Sequence, residues 1–277
     1  IAWAASYFTK DLNVVSVIGD DFDMEELHKL EARGVDTSGI EIKAGKKSFF
    51  WAGKYHMDMN SRDTLATELN VLLEFNPVLP EAYRTADFLM LGNIDPMLQL
   101  NVIQQMAKRP KLIIMDTMNF WMDSTPEQLN AVIKEVDVLT INDAEARQLS
   151  GEYSLVKAAS KIQEMGPKFL VIKKGEHGAL LFHKNHVFFA PALPLESVFD
   201  PTGAGDTFAG GFVGWLDKTK DISFDNMKRA IIFGSAMASF CVEKFGTERL
   251  QSLSEEEIHE RIEEFVQLVQ VDIDLVG

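Results

Sequence analysis

One cysteine stands in 277 residues, so no intramolecular disulfide can form. Cys241 lies in an apolar helical stretch, where a plain core thiol is expected. That usage fits a reducing cytoplasm, the expected location. No apolar run reaches the ~18 residues of a membrane-spanning helix. Basic residues are scarce, with 27 Lys and Arg against 42 Asp and Glu, a net charge of −15. Nucleic acid demands clustered cations, so this balance argues against such a partner. Two phosphate-binding signatures are also missing. No Gly-x-x-x-x-Gly-Lys-Ser/Thr occurs, which sets aside P-loop ATPases. No Gly-x-Gly-x-x-Gly joins an opening strand to a helix, which sets aside dinucleotide dehydrogenases.

What is present alternates between short apolar runs and segments of helical period. Strands are expected at Val14–Ile18, Phe88–Leu91, Leu112–Met115, Val138–Ile141 and Phe169–Lys173. Helices are expected at Met24–Arg33, Met97–Lys108, Thr125–Val136 and Leu155–Met165. Such alternation predicts an α/β fold with a mostly parallel sheet and helices on both faces. Ala179–His183 and Val187–Ala190 read as a hairpin, and Ile40–Tyr55, rich in aromatics, as antiparallel strands of a small lid. Helices follow at Thr207–Trp215, Asn226–Phe245 and Ser254–Val269, the last opened by a Ser254/Glu257 capping box. No linker rich in Pro, Gly or Ser divides the chain, so one domain over 1–277 is expected, with a lid near 40–56. The opening Ile1-Ala2-Trp3-Ala4-Ala5 reads as a helix entered midway, with no initiating Met.

The chemistry concentrates in Asp200-Pro201-Thr202-Gly203-Ala204-Gly205-Asp206-Thr207-Phe208-Ala209-Gly210-Gly211. A flexible turn at Thr202–Gly205 leads into a helix, whose first N–H groups lack intrahelical partners. Glycines let a phosphate approach that backbone, and the helix dipole favours its charge. A carboxylate at Asp206 can then accept the proton of an attacking hydroxyl beside the anion. The competing reading makes Asp206 a helix N-cap only.

This twelve-residue string resembles the C-terminal signature of the ribokinase-like (PfkB-type) carbohydrate kinases. The resemblance runs from about Asp11 to Leu253. Val17-Ile18-Gly19-Asp20-Asp21-Phe22 is similar to the family's Gly-x-Asp after an early strand, and Gly34–Ile40 to the phrase leading into its lid. Asn142-Asp143-Ala144-Glu145 resembles its Asn-x-x-Glu. Ile172-Lys173-Lys174-Gly175-Glu176-His177-Gly178 resembles its Thr-x-Gly-x-x-Gly, with Lys173 where Thr is usual.

The resemblance implies a three-layer ribokinase-like fold and an ATP-dependent kinase acting on a hydroxyl of a small sugar or nucleoside. It makes Asp206 the base, and Gly203, Ala204 and Gly205 the anion hole. It gives Asn142, Glu145, Lys173, Gly175, Gly178 and, in the helix near Ser235, Gly234 to the nucleotide. Mg²⁺ is implied at Glu145 through water, and a monovalent cation such as K⁺ at Asp200 and Thr202. Gly19, Asn93 and Trp51 would face the acceptor, and Asp116 and Asn119 end a strand at the same sheet edge. Arg62 and Lys54 would serve a phosphorylated sugar or solvate the lid.

Blander roles stand beside these: a turn at Asp200-Pro201 and another before Pro96 for Asn93. Asn142 would cap a helix, with Glu145 a solvated first-turn acid. The family's first strand, with its substrate Asp and a Gly-Gly pair, would precede Ile1. A homodimer through the lid is a further expectation. The alternative from another class is a non-catalytic relative that binds nucleotide or sugar as a regulator.

Overall fold

The computed structural model describes residues 1–270. Six strands form the main sheet, in the order β10-β9-β8-β7-β6-β5: β5 (Phe88–Leu91), β6 (Leu112–Asp116), β7 (Val138–Asn142), β8 (Phe169–Lys173), β9 (Ala179–His183) and β10 (His186–Ala190). The first four are parallel, and the β9–β10 hairpin continues the sheet antiparallel. Strand β6 is buried at every position, as a central strand covered on both faces must be.

Alternate residues of each strand serve opposite layers. Ile113, Met115, Leu139, Ile141 and Ile172 pack against α3 (Pro96–Gln105), α5 (Pro126–Ile133), α6 (Asp143–Ser150) and α7 (Leu155–Glu164). Leu112, Ile114, Val138 and Val171 pack instead against Phe208, Phe212 and Ile231 of α8 (Ala204–Thr219) and α9 (Phe224–Cys241). The three layers expected from the alternation of runs are therefore present. The remaining helices are α1 (Ala2–Ala5), α2 (Met24–Ala32), α4 (Asn119–Ser124), α10 (Glu248–Gln251) and α11 (Glu255–Val269). The Ser254/Glu257 capping box opens α11 as expected.

The motif's small residues after Asp206 serve packing. A Cβ on Gly210 would strike Ala4, and one on Gly214 would meet Ala5, so both let α1 seat on α8. Gly211 and Gly234 meet where α8 crosses α9, and a Cβ on Gly234 would stand 2.7 Å from the Phe208 carbonyl. The small residue at 234 is thus accounted for by helix contact. Its expected role at the nucleotide remains a proposal.

The strands before β5 depart from the sequence reading. β1 (Asn13–Gly19) pairs in parallel with β2 (Asp36–Lys43), and the lid hairpin is β3 (Phe50–Tyr55) with β4 (Arg62–Glu68). Ile40–Lys43 therefore belongs to β2, and the lid runs on to Glu68. Period-two alternation marks a strand but does not name its partner, and β4 has few apolar residues to mark it. Among the described residues, neither β1 nor β5 pairs with a second strand. Their two open edges face a cavity of about 500 Å³, lined by Asn13–Ser16 and Phe88–Leu91.

Candidate active site

Helix α8 starts from Gly203, its N-cap, held in the left-handed region at φ 79° where a side chain is disfavoured. The chain is wound into that position by two bonds. Thr202 N–H donates to Asp200 Oδ1 at 2.9 Å, and Ala204 N–H to the Pro201 carbonyl at 3.1 Å. The N–H groups of Gly205 and Asp206 donate to no acceptor among the described residues. They are the unsatisfied amides of a helix start, aimed outward at its positive end. Asp206 is the third residue of the helix and not its cap, and it is exposed. The capping reading of this carboxylate therefore fails.

Three strand ends bring the other groups to the same place. Lys173 closes β8 level with Asn142 of β7, and Asp116 closes β6 level with Thr140. Lys173 Nζ donates to Asp116 Oδ1 at 3.1 Å, and that same oxygen lies 3.3 Å from the Thr140 hydroxyl. A Cβ on Gly205 would stand 3.3 Å from Lys173 Nζ, so the ammonium abuts the first turn of α8. Burial pulls the lysine's pKa down, and the charges of Asp116, Glu145 and Asp206 outweigh it and leave it raised. The cation is therefore held charged at the start of α8.

Asn142 and Glu145 form a reciprocal capping box at α6. Asn142 Oδ1 accepts the Glu145 N–H at 2.8 Å, and Glu145 accepts the Asn142 N–H at 2.7 Å. The capping role foreseen for Asn142 is real. A solvated Glu145 is not: its residue is 9% exposed. Burial drives its carboxyl up to about 7, against the pull of the Asn142 N–H and of Lys173. A capping acid on a free surface would have no reason to be so enclosed.

The glycine loop after β8 turns back on itself, with Lys174 N–H donating to the Gly178 carbonyl at 2.8 Å. Gly175 and Gly178 both have positive φ, 55° and 80°. A Cβ on Gly178 would stand 2.8 Å from the Ala192 nitrogen, so close backbone approach accounts for this glycine. Gly175 faces the lid instead, where Asn60 leaves a Cβ no room.

The acceptor candidates are engaged locally. Gly19 donates its N–H to Ser48 Oγ at 2.9 Å, and the backbone of Lys46–Ser48 packs where a Cβ would stand. Asn93 accepts from Trp121 Nε1 at 2.9 Å, while Asp95 caps α3. Trp51 lies across Gly53, with the Arg62 guanidinium 5.6 Å from its ring centre. Asn119 opens α4 and is exposed. Asp116 is the residue that the sequence undervalued. Its signal was a lone acid at the end of a fully apolar strand. The lid's Asn60 carried no signal at all.

The pfkB family carbohydrate kinase model matches residues 1–253. A cytidine kinase of Thermococcus kodakarensis is 31% identical over 217 residues, 77% of this chain and 76% of that protein. A ribokinase of Haemophilus influenzae is 31% identical over 257 residues, 89% of this chain and 80% of its own. A candidate ribokinase II of E. coli, solved with ATP and Mg²⁺, superposes with a TM-score of 0.75 at 20% identity. That match covers 96% of this chain and 86% of the other, and speaks for the fold. No helix among the described residues is long and apolar enough to cross a membrane. The chain belongs to the pfkB family of carbohydrate kinases, phosphotransferases whose acceptor is an alcohol group.

Proposed function

We propose that this chain transfers the γ-phosphoryl group of ATP to a hydroxyl of a small sugar or nucleoside, with Asp206 as the base. The observation that carries it is the free Asp206 carboxylate beside two unpartnered amides and the Lys173 cation. In this reading the acceptor O–H gives its proton to Asp206 as its oxygen bonds to the γ-phosphorus. The bond from that phosphorus to the bridging oxygen breaks, and ADP leaves with the electron pair. Gly205 and Asp206 N–H groups, helped by Lys173, stabilise the charge on the moving phosphoryl group.

Mg²⁺ fits the donor set. The described residues hold no cluster of three metal-ligating side chains, and a magnesium ion carried by nucleotide phosphates needs none. Glu145, with Asp116 nearby, would hold its waters, and the ion would supply neutralisation of the phosphate charge. Asn142 would align Glu145, and the Gly175–Gly178 turn would lie along the nucleotide. A monovalent cation at Asp200 and Thr202 would compete with bonds these residues already make. Asp200 is already committed to its turn, and the Thr202 hydroxyl bonds the Tyr55 hydroxyl at 3.3 Å. Comparing activity in K⁺ and in Na⁺ checks that part.

A homodimer through the lid also belongs to the proposal. Phe50 and Leu65 of the hairpin are half or more exposed, and sedimentation would report the association. The cytidine kinase and ribokinase relatives make ribose and its nucleosides the first acceptors to try. The test is ADP release with MgATP across a panel of sugars and nucleosides. Saturable release with one class supports the reading. ATP binding without release from any acceptor would favour a regulatory binder.

A further inference from the structure

Gln99, the fourth residue of α3, is 1% exposed, and a polar side chain so enclosed costs free energy unless it is hydrogen-bonded. Its Nε2 donates to the Gly92 carbonyl at 2.7 Å and to the Asp116 carbonyl at 3.1 Å. Its Oε1 is buried and meets no hydrogen-bond partner among the described residues. The two carbonyls fix which way the amide points, since a flipped amide would set oxygen against oxygen. Donation to those carbonyls is therefore what this buried side chain contributes.

The two carbonyls belong to neighbouring strand ends. β5 and β6 run parallel, and their last paired residues are Leu91 and Met115. Gly92 and Asp116 come next in register, so Gln99 clasps the strands one step beyond their ladder. A second bond stitches the same segments. Asn93 Oδ1 accepts from Trp121 Nε1 at 2.9 Å, and Trp121 lies in α4, which follows β6. Helix α3 closes the turn from its other end: the Asp95 side chain accepts the Met97 N–H at 2.8 Å, and its carbonyl takes the Gln99 N–H at 3.2 Å. Asn93 is exposed on this turn, while the Asp116 carboxylate bonds Lys173 beside the first turn of α8. One buried amide thus sets the spacing between an acceptor candidate and the cation at the start of α8.

Resting on the kinase reading above, we propose that Gln99 is a positioning residue for phosphoryl transfer. It acts through Asn93, by holding the Gly92–Asp95 turn against the end of β6. The acceptor and the groups that face the moving phosphate then keep one spacing. A misplacement of about 1 Å between reacting groups can cost on the order of 10²-fold in rate, so a side chain that never meets substrate can still govern turnover.

The experiment measures ADP release from MgATP, first with ribose and cytidine as acceptors, in wild type, Gln99→Met, Asn93→Ala and the double variant. Gln99→Met keeps the length of the side chain and removes both donations. Circular dichroism and urea melts give the folded fraction, and Gln99→Asn, too short to reach both carbonyls, takes its place should Gln99→Met not fold. The expected result is a fall of about tenfold or more in the acceptor's kcat/KM per folded molecule, with MgATP affinity by calorimetry unchanged. In the double variant the two losses do not add, because one residue acts through the other. Lower stability with kcat/KM unchanged makes Gln99 structural only, overturning the inference and leaving the kinase reading standing. So do losses that add in the double variant, or a loss of MgATP affinity that accounts for the whole defect. A wild-type chain that releases ADP with no sugar or nucleoside overturns both.

Discussion

The Lys173 ammonium stands 3.1 Å from Asp116 Oδ1, where the ends of β8 and β6 meet the first turn of α8. This pair ties the sheet to the first turn of α8. Partial burial disfavours the charge of this lysine, and the carboxylates around it outweigh that. Position 173 therefore holds a fixed cation beside the first turn of α8.

Lys173→Met is expected to weaken MgATP binding at least tenfold, a loss that calorimetry reads. It should also lower stability by about 1–3 kcal/mol, because Asp116 is left buried without its charged partner. Adding Asp116→Asn to that variant should restore part of the stability but none of the affinity. Recovery of both would assign Lys173 a structural role alone.

Asp206→Asn is expected to lower kcat by about 10²–10⁴-fold, the usual contribution of a positioned base. Its fold and its affinity for MgATP should hold, since the carboxylate neither caps α8 nor is buried. Steady-state ADP release against calorimetry separates the two effects. Near-normal turnover would remove Asp206 from the mechanism.

Glu145 gives a pH signature. Its folded pKa of about 7 lies above the usual 4.5 because burial disfavours the charge. The folded state therefore binds more protons than the unfolded one between those values, and stability falls as pH rises through the window. Below about 4.5 the contribution is fully present, and above about 7 it is lost. Denaturant melts without nucleotide or metal should show wild type losing on the order of 3 kcal/mol across the window, relative to Glu145→Gln. Parallel pH profiles for the two proteins would contradict the assigned burial effect.

The opposite end of the sheet tests stability alone. Asp137, 3% exposed, accepts from Arg109 at 3.0 Å, from Lys168 at 2.9 Å and from the Ile113 N–H at 3.0 Å. Asp137→Ala leaves that buried N–H without its acceptor and should cost about 1–3 kcal/mol in urea melts. The kcat should be unchanged, since Asp137 precedes β7 and Asn142 ends it. A large loss of kcat in a folded variant would link the two ends.

The sequence alone determined the layered α/β core, because local period and burial decide it. Leu112–Asp116 and Val138–Asn142 read as buried strands since their apolar runs admit little else. The small-residue turn into α8 at Gly203 was legible because its residues are consecutive. Tertiary structure decided what depends on residues far apart in the chain. Thr202 meets Tyr55, Asn60 meets Glu176, and Lys173 meets Asp116, and no local pattern encodes those distances. It also decided which role each small or acidic residue plays. Gly234 lies in a helix crossing and Glu145 behind a capping box, because burial and partner are properties of packing and not of the motif.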